Sequence, residues 1–333
     1  MPTVHESVDT PPKASILIES MRDIGYSLET ALADVVDNSI TAKATNVHIH
    51  VDAIGSEARI GIVDDGKGMS RADLLDAMRL GSRHPHEPRA VHDLGRFGLG
   101  LKTASFSQCR RLTVVTRKDG ITSVAIWDLE HVAKTDTWSL LVTDDEVEIP
   151  FIEYLGAEGS LVVWERLDRA VEQDGTDMGR KHFIRRVDDA GRHLELVFHR
   201  YLSGESGIRR ISILINSVPL RPFDPFHSSH PATIAGQTEV VRVGGHDVAI
   251  TAFTLPHHRN VSALDWERFG GPAGYLKNQG LASAIAEAES GRQIARACGC
   301  SSALWKTSAR SAKRIAATSS SSSANRRRRK IRT

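Results

Sequence analysis

Cysteine is scarce in this chain. Cys109, Cys298 and Cys300 are the three cysteines among 333 residues, too few for a disulfide framework. They supply no tetrahedral metal set either, because no His or Cys cluster accompanies Cys298-Gly-Cys300. Such usage fits a reducing compartment. No apolar run approaches the roughly 18 residues that a membrane span needs. The start, Met1 to Lys13, is polar, with Pro11 and Pro12 and no apolar stretch of the signal-peptide kind. There are no internal repeats. These absences lead to the expectation of a cytoplasmic protein without a membrane partner.

Hydrophobic residues make up 40% of the chain and charged residues 25%, ordinary values for a soluble globular protein. A length of 333 residues suggests two domains, each long enough to bury a core. The net charge of +2 hides an asymmetry. Residues 281–333 hold 12 Lys/Arg against 2 Asp/Glu, and the remainder holds 31 against 39. The body is therefore mildly acidic, and the basic character sits in the C-terminal segment.

Residues 15–26 carry Ile16, Leu17, Met21 and Ile24 at helical spacing. Ser27 is placed to cap a second helix over 28–41. Strands are predicted at 46–52 and 59–64 from alternating β-branched residues. Ser70 caps a helix over 71–80, residues 81–98 resemble a loop, and 99–107 form a helix. Strands follow at 111–116 and 121–129. Residues 135–158 are acidic and irregular, 160–167 is a strand, and 178–201 is a long amphipathic helix. Further strands at 211–216, 239–243 and 246–255 suggest a second α/β domain. The expected organisation is a disordered start over 1–14, one domain over 15–170, another over 171–280, and an Ala/Ser/Arg-rich tail over 281–333.

Three motifs carry chemistry. In the second helix, Asp34 and Asn38 are four residues apart and share a face. A carboxylate there can accept a proton from water, and an amide oxygen one turn on can ligate Mg²⁺. The plainer reading is the polar face of an amphipathic helix. After the 59–64 strand comes Asp64-Asp65-Gly66-Lys67-Gly68-Met69. Its glycines let the backbone approach a flat ligand, and a carboxylate at the strand end can accept from an exocyclic amine. Read alone, it is equally a simple Asp-Gly turn. The third motif is Gly95-Arg96-Phe97-Gly98-Leu99-Gly100-Leu101-Lys102, running into a helix. Glycines there present free N–H groups to phosphates, and Lys102 adds a point charge. Leu101 between Gly100 and Lys102 excludes a Walker A loop, and the glycine spacing excludes a Rossmann fingerprint.

Taken in order, the three motifs over about 15–167 resemble the ATP-binding domain of the GHKL superfamily (gyrase, heat-shock chaperone, histidine kinase, MutL). The resemblance implies a Bergerat fold, a two-layer α/β sandwich with helices on one face of a mixed sheet, and ATP with Mg²⁺ as ligands. It implies Asp34 as the base that activates water and Asn38 as the metal ligand. Asp64 would read the adenine amino group, with Gly66, Gly68 and Met69 around the base. Gly95, Gly98, Gly100 and Lys102 would form the phosphate loop. Ser160, after Gly159, would hold adenine through water, in place of the family's usual Thr. Asp34 departs from the more usual Glu, and its shorter arm needs the water closer.

The stretch from Asp34 to Thr45 is most similar to MutL and the prokaryotic MORC-like ATPases. In those relatives a transducer domain follows, with a basic residue reaching the γ-phosphate. Lys277 is a candidate for it, beside the plain reading of a surface lysine. The resemblance implies an ATPase that closes a lid and forms a homodimer when ATP binds, with a nucleic acid or a protein as client. Two other functions compete. One is phosphotransfer of the histidine-kinase type, which needs a phospho-accepting His on a helical hairpin before the domain. The other is an ATP-binding module without turnover, because the transducer is incomplete. The Arg326–Lys330 run has three readings: a solvated tail, a nucleic-acid clamp, or a change of reading frame near Leu281.

Overall fold

A computed structural model describes residues 10, 12–23, 25–53, 58–81, 100–146, 148–169, 177–243, 246–271 and 283–287. The chain divides into two compact units, Met1–Phe223 and Asp224–Thr333.

The first unit opens with helices α1 (Ala14–Arg22) and α2 (Leu28–Thr41), then strands β1 (Asn46–Asp52) and β2 (Arg59–Asp64). Helices α3 (Arg71–Met78) and α4 (Gly100–Phe106) precede the hairpin of β3 (Arg111–Lys118) and β4 (Ile121–Asp128). Next come α5 (Leu129–Thr135), β5 (Leu141–Thr143), a 3₁₀ turn (Ile152–Tyr154) and β6 (Gly159–Glu165). Helices α6 (Asp177–Val197) and α7 (His199–Ser203) lead to β7 (Ser212–Ile215) and β8 (Val218–Pro219). The strands form one sheet in the order β5-β4-β3-β6-β2-β1-β7-β8. Its pairs are antiparallel except β1 with β7, which makes the sheet mixed.

The period-2 alternation of the strands sorts their side chains onto two faces. Ile60, Ile62, Val114, Val162 and Trp164 face one large core with residues of all of α1 to α6. Val63, Val115, Leu161 and Val163 face the other way, into a smaller cluster roofed by Leu155 with Ile149, Phe151 and Ile152. The acidic stretch expected to be irregular thus supplies an edge strand and the lid of this second cluster. The result is a two-layer α/β sandwich of the Bergerat type.

Caps explain where the short helices begin. The Ser70 hydroxyl accepts from the Asp73 N–H, and the Asp73 carboxylate returns a bond to the Ser70 N–H. Ser27 precedes α2 as expected, but its side chain makes no cap bond. Its hydroxyl instead meets Thr30 Oγ1 at 3.0 Å.

The first unit extends beyond the expected boundary at 170. Helix α6 packs on α2, and β7 adds to β1 in parallel. The second unit holds β9 (Ile234–Ala235), β10 (Glu239–Val243), β11 (His246–Thr254), α8 (Ala263–Arg268) and β12 (Ser283–Glu287). Strand β12 lies inside the segment expected to be a disordered tail. Its antiparallel register on β11 sets Ile285 opposite Ile250, so backbone pairing reaches into the Ala/Ser/Arg-rich end. Residues 288–333, with the Arg326–Lys330 run, lie outside the described residues. No described helix is long and apolar enough to cross a membrane.

Candidate functional site

Helix α2 and the end of β2 meet through one hydrogen bond. Ser39, buried on α2, donates its hydroxyl to Asp64 Oδ2 at 3.0 Å. The Asp64 carboxylate, only 7% exposed, also accepts from the Gly66 N–H at 2.9 Å. The Ser160 backbone N–H is a third donor. Burial raises the Asp64 pKa above the usual carboxylate value, and these donors oppose the rise.

The strand ends around Asp64 are locked together. Met69 N–H donates to Thr116 Oγ1 at 2.7 Å, and that hydroxyl donates to Gly159 O at 3.1 Å. Two glycines make this closeness possible. Gly68 has φ +60°, and a Cβ there would stand 2.2 Å from Arg117 O. Gly159 has φ +131°, and its Cβ would stand 2.0 Å from Asp64 O. Ser160, the next residue, is 8% exposed and pairs with Asp64 across β2 and β6.

Asp65 points the other way and acts as a clamp. It accepts from Thr45 N–H (2.7 Å), Thr45 Oγ1 (2.6 Å), Asn46 N–H (2.8 Å) and Asn46 Nδ2 (2.7 Å). Burial alone would raise its pKa, but the bonds from Thr45 and Asn46 outweigh it and bring the carboxyl from 3.8 down to about 2. The folded value is below the unfolded one, so this stabilisation is complete above pH 3.8 and is lost as pH falls towards about 2. Urea midpoints should therefore show Asp65→Asn less stable than the parent at neutral pH. The gap should close over that acid window; a gap independent of pH would contradict the clamp.

Asp34 and Asn38 occupy one face of α2, with Asn38 exposed and Asp34 half-buried. From Asp34 to Ser39 the helix rises by about 7.5 Å. Burial raises the Asp34 pKa, and a hydrogen bond from Tyr26 opposes it. The start of α4 lies beside this carboxylate: a Cβ on Gly100 would stand 3.7 Å from Asp34 Oδ2. Among the described residues no group of three or more His, Cys, Asp or Glu could hold a metal by itself. An exposed amide at Asn38 suits Mg²⁺, which takes most of its oxygens from phosphates and water.

Lys102, expected in the phosphate loop, is buried beside α3. Its side chain is 1% exposed, and Nζ donates to Ala77 O at 2.7 Å and Arg79 O at 2.8 Å. These carbonyls belong to the C-terminal end of α3, where helix carbonyls lack partners and the dipole favours a cation. Trp127 Nε1 satisfies Met78 O at the same end. The ammonium thus caps α3 and joins α4 to it. Gly95, Gly98 and Lys277 lie outside the described residues.

Sequence reasoning passed over Ser39, Tyr26 and Thr116. Ser39 follows Asn38 directly and lies five residues after Asp34, so its helical position alone could have drawn attention. Tyr26 and Thr116 gave no local signal, since their partners are distant in the chain. Two surface hollows, one containing Glu19 and Arg169 and the other Arg210 and Arg221, include neither Asp34 nor Asp64. The two carboxylates are related by α2 and Ser39.

The sheet, the helical layer and the ordered motifs define an ATP-binding domain of the Bergerat class. Residues 26–155 match the family described as histidine kinase-, DNA gyrase B-, and HSP90-like ATPase. The chain is 39% identical over 92 residues to ATPase morc-1 of Caenorhabditis elegans, covering 28% of this chain and 10% of that protein. It is 30% identical over 116 residues to the DNA mismatch repair protein MutL of Rhodopseudomonas palustris (strain BisB18), covering 34% and 17%. To ATPase MORC2B of Mus musculus it is 27% identical over 96 residues, covering 28% and 9%. Over this domain the chain is similar to the GHKL ATPases, with MORC and MutL proteins among its relatives. The matches span 9% to 17% of these relatives' own lengths.

Proposed function

We propose that this chain binds ATP with Mg²⁺ and hydrolyses it to ADP and phosphate. The observation that carries the reading is the Ser39–Asp64 bond, because it ties the helix bearing Asp34 and Asn38 to the carboxylate suited to adenine. Asp64 accepts from the adenine amine. Gly66, Gly68 and Met69 shape the space around the base, and Ser160 offers a hydroxyl beside it. Gly100, with Gly95 and Gly98 before it, presents backbone N–H groups to the phosphates. Asn38 holds Mg²⁺, which offsets phosphate charge when bound. Asp34 takes a proton from the attacking water. The water oxygen bonds to the γ-phosphorus as the bond to the β–γ bridging oxygen breaks.

We further propose that ATP closes the segment between Gly81 and Gly98 as a lid and pairs two copies of the chain, with the unit after Phe223 acting as the transducer. A nucleic acid or a protein is the client. The placement of Lys102 favours a second reading, ATP binding without turnover, because that ammonium is committed to α3. One experiment separates them. Calorimetry with ATP and Mg²⁺, phosphate release, and light scattering with and without nucleotide are run on the same preparation. Heat, free phosphate and a doubled mass support the full reading. Heat without phosphate supports the binding module, and no heat with folded protein ends both.

A further inference from the structure

The face of the sheet that packs on the helices ends in a row of polar side chains. Strand pairing sets Asp64 opposite Ser160, Ser160 opposite Thr116 and Thr116 opposite Ser123. All four are buried, Thr116 completely. Two residues further in along each strand lie Ile62, Val162, Val114 and Ala125, which belong to the main core. The row therefore marks where the apolar core gives way to polar surroundings. A fully buried hydroxyl has to find its partners inside the protein, and Thr116 has two. Its Oγ1 accepts from the Met69 N–H at 2.7 Å and donates to Gly159 O at 3.1 Å. The two partners belong to different segments. Met69 follows the Gly66–Gly68 turn, which is also tied to the end of α2 by the Lys67 N–H on Ala42 O at 3.0 Å. Gly159 opens β6, directly before Ser160.

We infer that Thr116 is a positioning residue for the base-binding end of the site: its one hydroxyl fixes the gap between the Gly66–Met69 turn and the start of β6. The walls assigned to adenine are then in place before the ligand arrives. This role rests on the ATP-binding part of the reading above. A β-branched side chain has few rotamers, so the aim of the hydroxyl is set by the strand itself. Without that hydroxyl, the Met69 N–H and Gly159 O lose a shared partner. The turn keeps its tie to α2 and loses its tie to β3. Re-ordering the loosened walls then opposes binding of the base, as ordering a mobile site does in general. The phosphates are spared, because the start of α4 and Asn38 lie outside this tie.

The test uses the full chain, with ATP and Mg²⁺ measured by titration calorimetry and inorganic tripolyphosphate measured by its displacement of ATP. Thr116→Val keeps the shape and loses the hydroxyl. It should weaken ATP about tenfold and leave tripolyphosphate unchanged. Thr116→Ser keeps the hydroxyl and should restore ATP affinity to within about threefold of the parent. If the valine variant does not fold, Thr116→Ala answers the same question. Parental ATP affinity in a folded chain lacking the hydroxyl would overturn the role, even with a lower thermal midpoint. A loss shared equally by ATP and tripolyphosphate would do the same, since the hydroxyl would then support the fold as a whole. So would a serine variant as weak as valine, which would make the methyl group responsible. Folded parent protein that gives no heat with ATP is a different failure: it ends the ATP reading and this role with it.

Discussion

Asp34→Asn should lower phosphate release by about 10²–10⁴-fold, the range a positioned general base contributes, and leave ATP binding in place. Asparagine keeps the shape and the acceptor oxygen for Tyr26 but cannot take a proton. Stability should move the opposite way from activity. Burial raises the Asp34 pKa, so its ionised form is less favourable in the folded chain than in the unfolded one. A raised carboxyl pKa favours folding at acid pH, and that advantage is lost as pH rises through the folded value. Asparagine removes the charge and with it this penalty. The thermal midpoint of the variant at pH 7 should equal or exceed the parent's, as scanning calorimetry would show. Full phosphate release from the variant would remove Asp34 from its role. A large fall in midpoint would trace the lost activity to damage.

Asp64→Asn should weaken ATP binding by about 10–100-fold, since the lost contact is a hydrogen bond to a charged, buried acceptor. The carboxylate is oriented by Ser39, Gly66 and Ser160, all three of them donors. An amide in its place turns an NH₂ group towards at least one donor or towards the base, so some polar group is left unpaired. The parent has its own pH signature. Because burial raises the Asp64 pKa, and the ligand's amine favours the ionised form, ATP affinity should fall as pH drops through the folded value. Titration calorimetry across pH measures both effects. Equal affinity of parent and variant at neutral pH would place adenine recognition elsewhere.

Much of this site could be seen in the chain before any coordinates. The bounds of α2, β1 and β2 match their predicted limits because each carries a clean local signal: a 3.6-residue period in α2 and alternation of Val and Ile in the strands. Asp34, Asn38 and Asp64 stood out because each sits at a fixed offset inside or after one of those elements. What escaped notice depends on contacts between distant residues. Nothing near Lys102 in sequence shows that the end of α3 will lie within reach of its ammonium. Nothing around Thr116 indicates that Met69 and Gly159 will share its hydroxyl. The extent of the first unit was hidden for the same reason, since a parallel partner for β1 arrives about 160 residues later, at β7.

The cap made by Lys102 has a mechanical side. The segment between Met78 and Gly100 begins at one helix and returns to another, and a single ammonium rivets those two helices together. The spacing of the two departure points is thus set by a residue outside the segment. Sequence changes or altered length between them can be absorbed without dragging Gly100 away from Asp34.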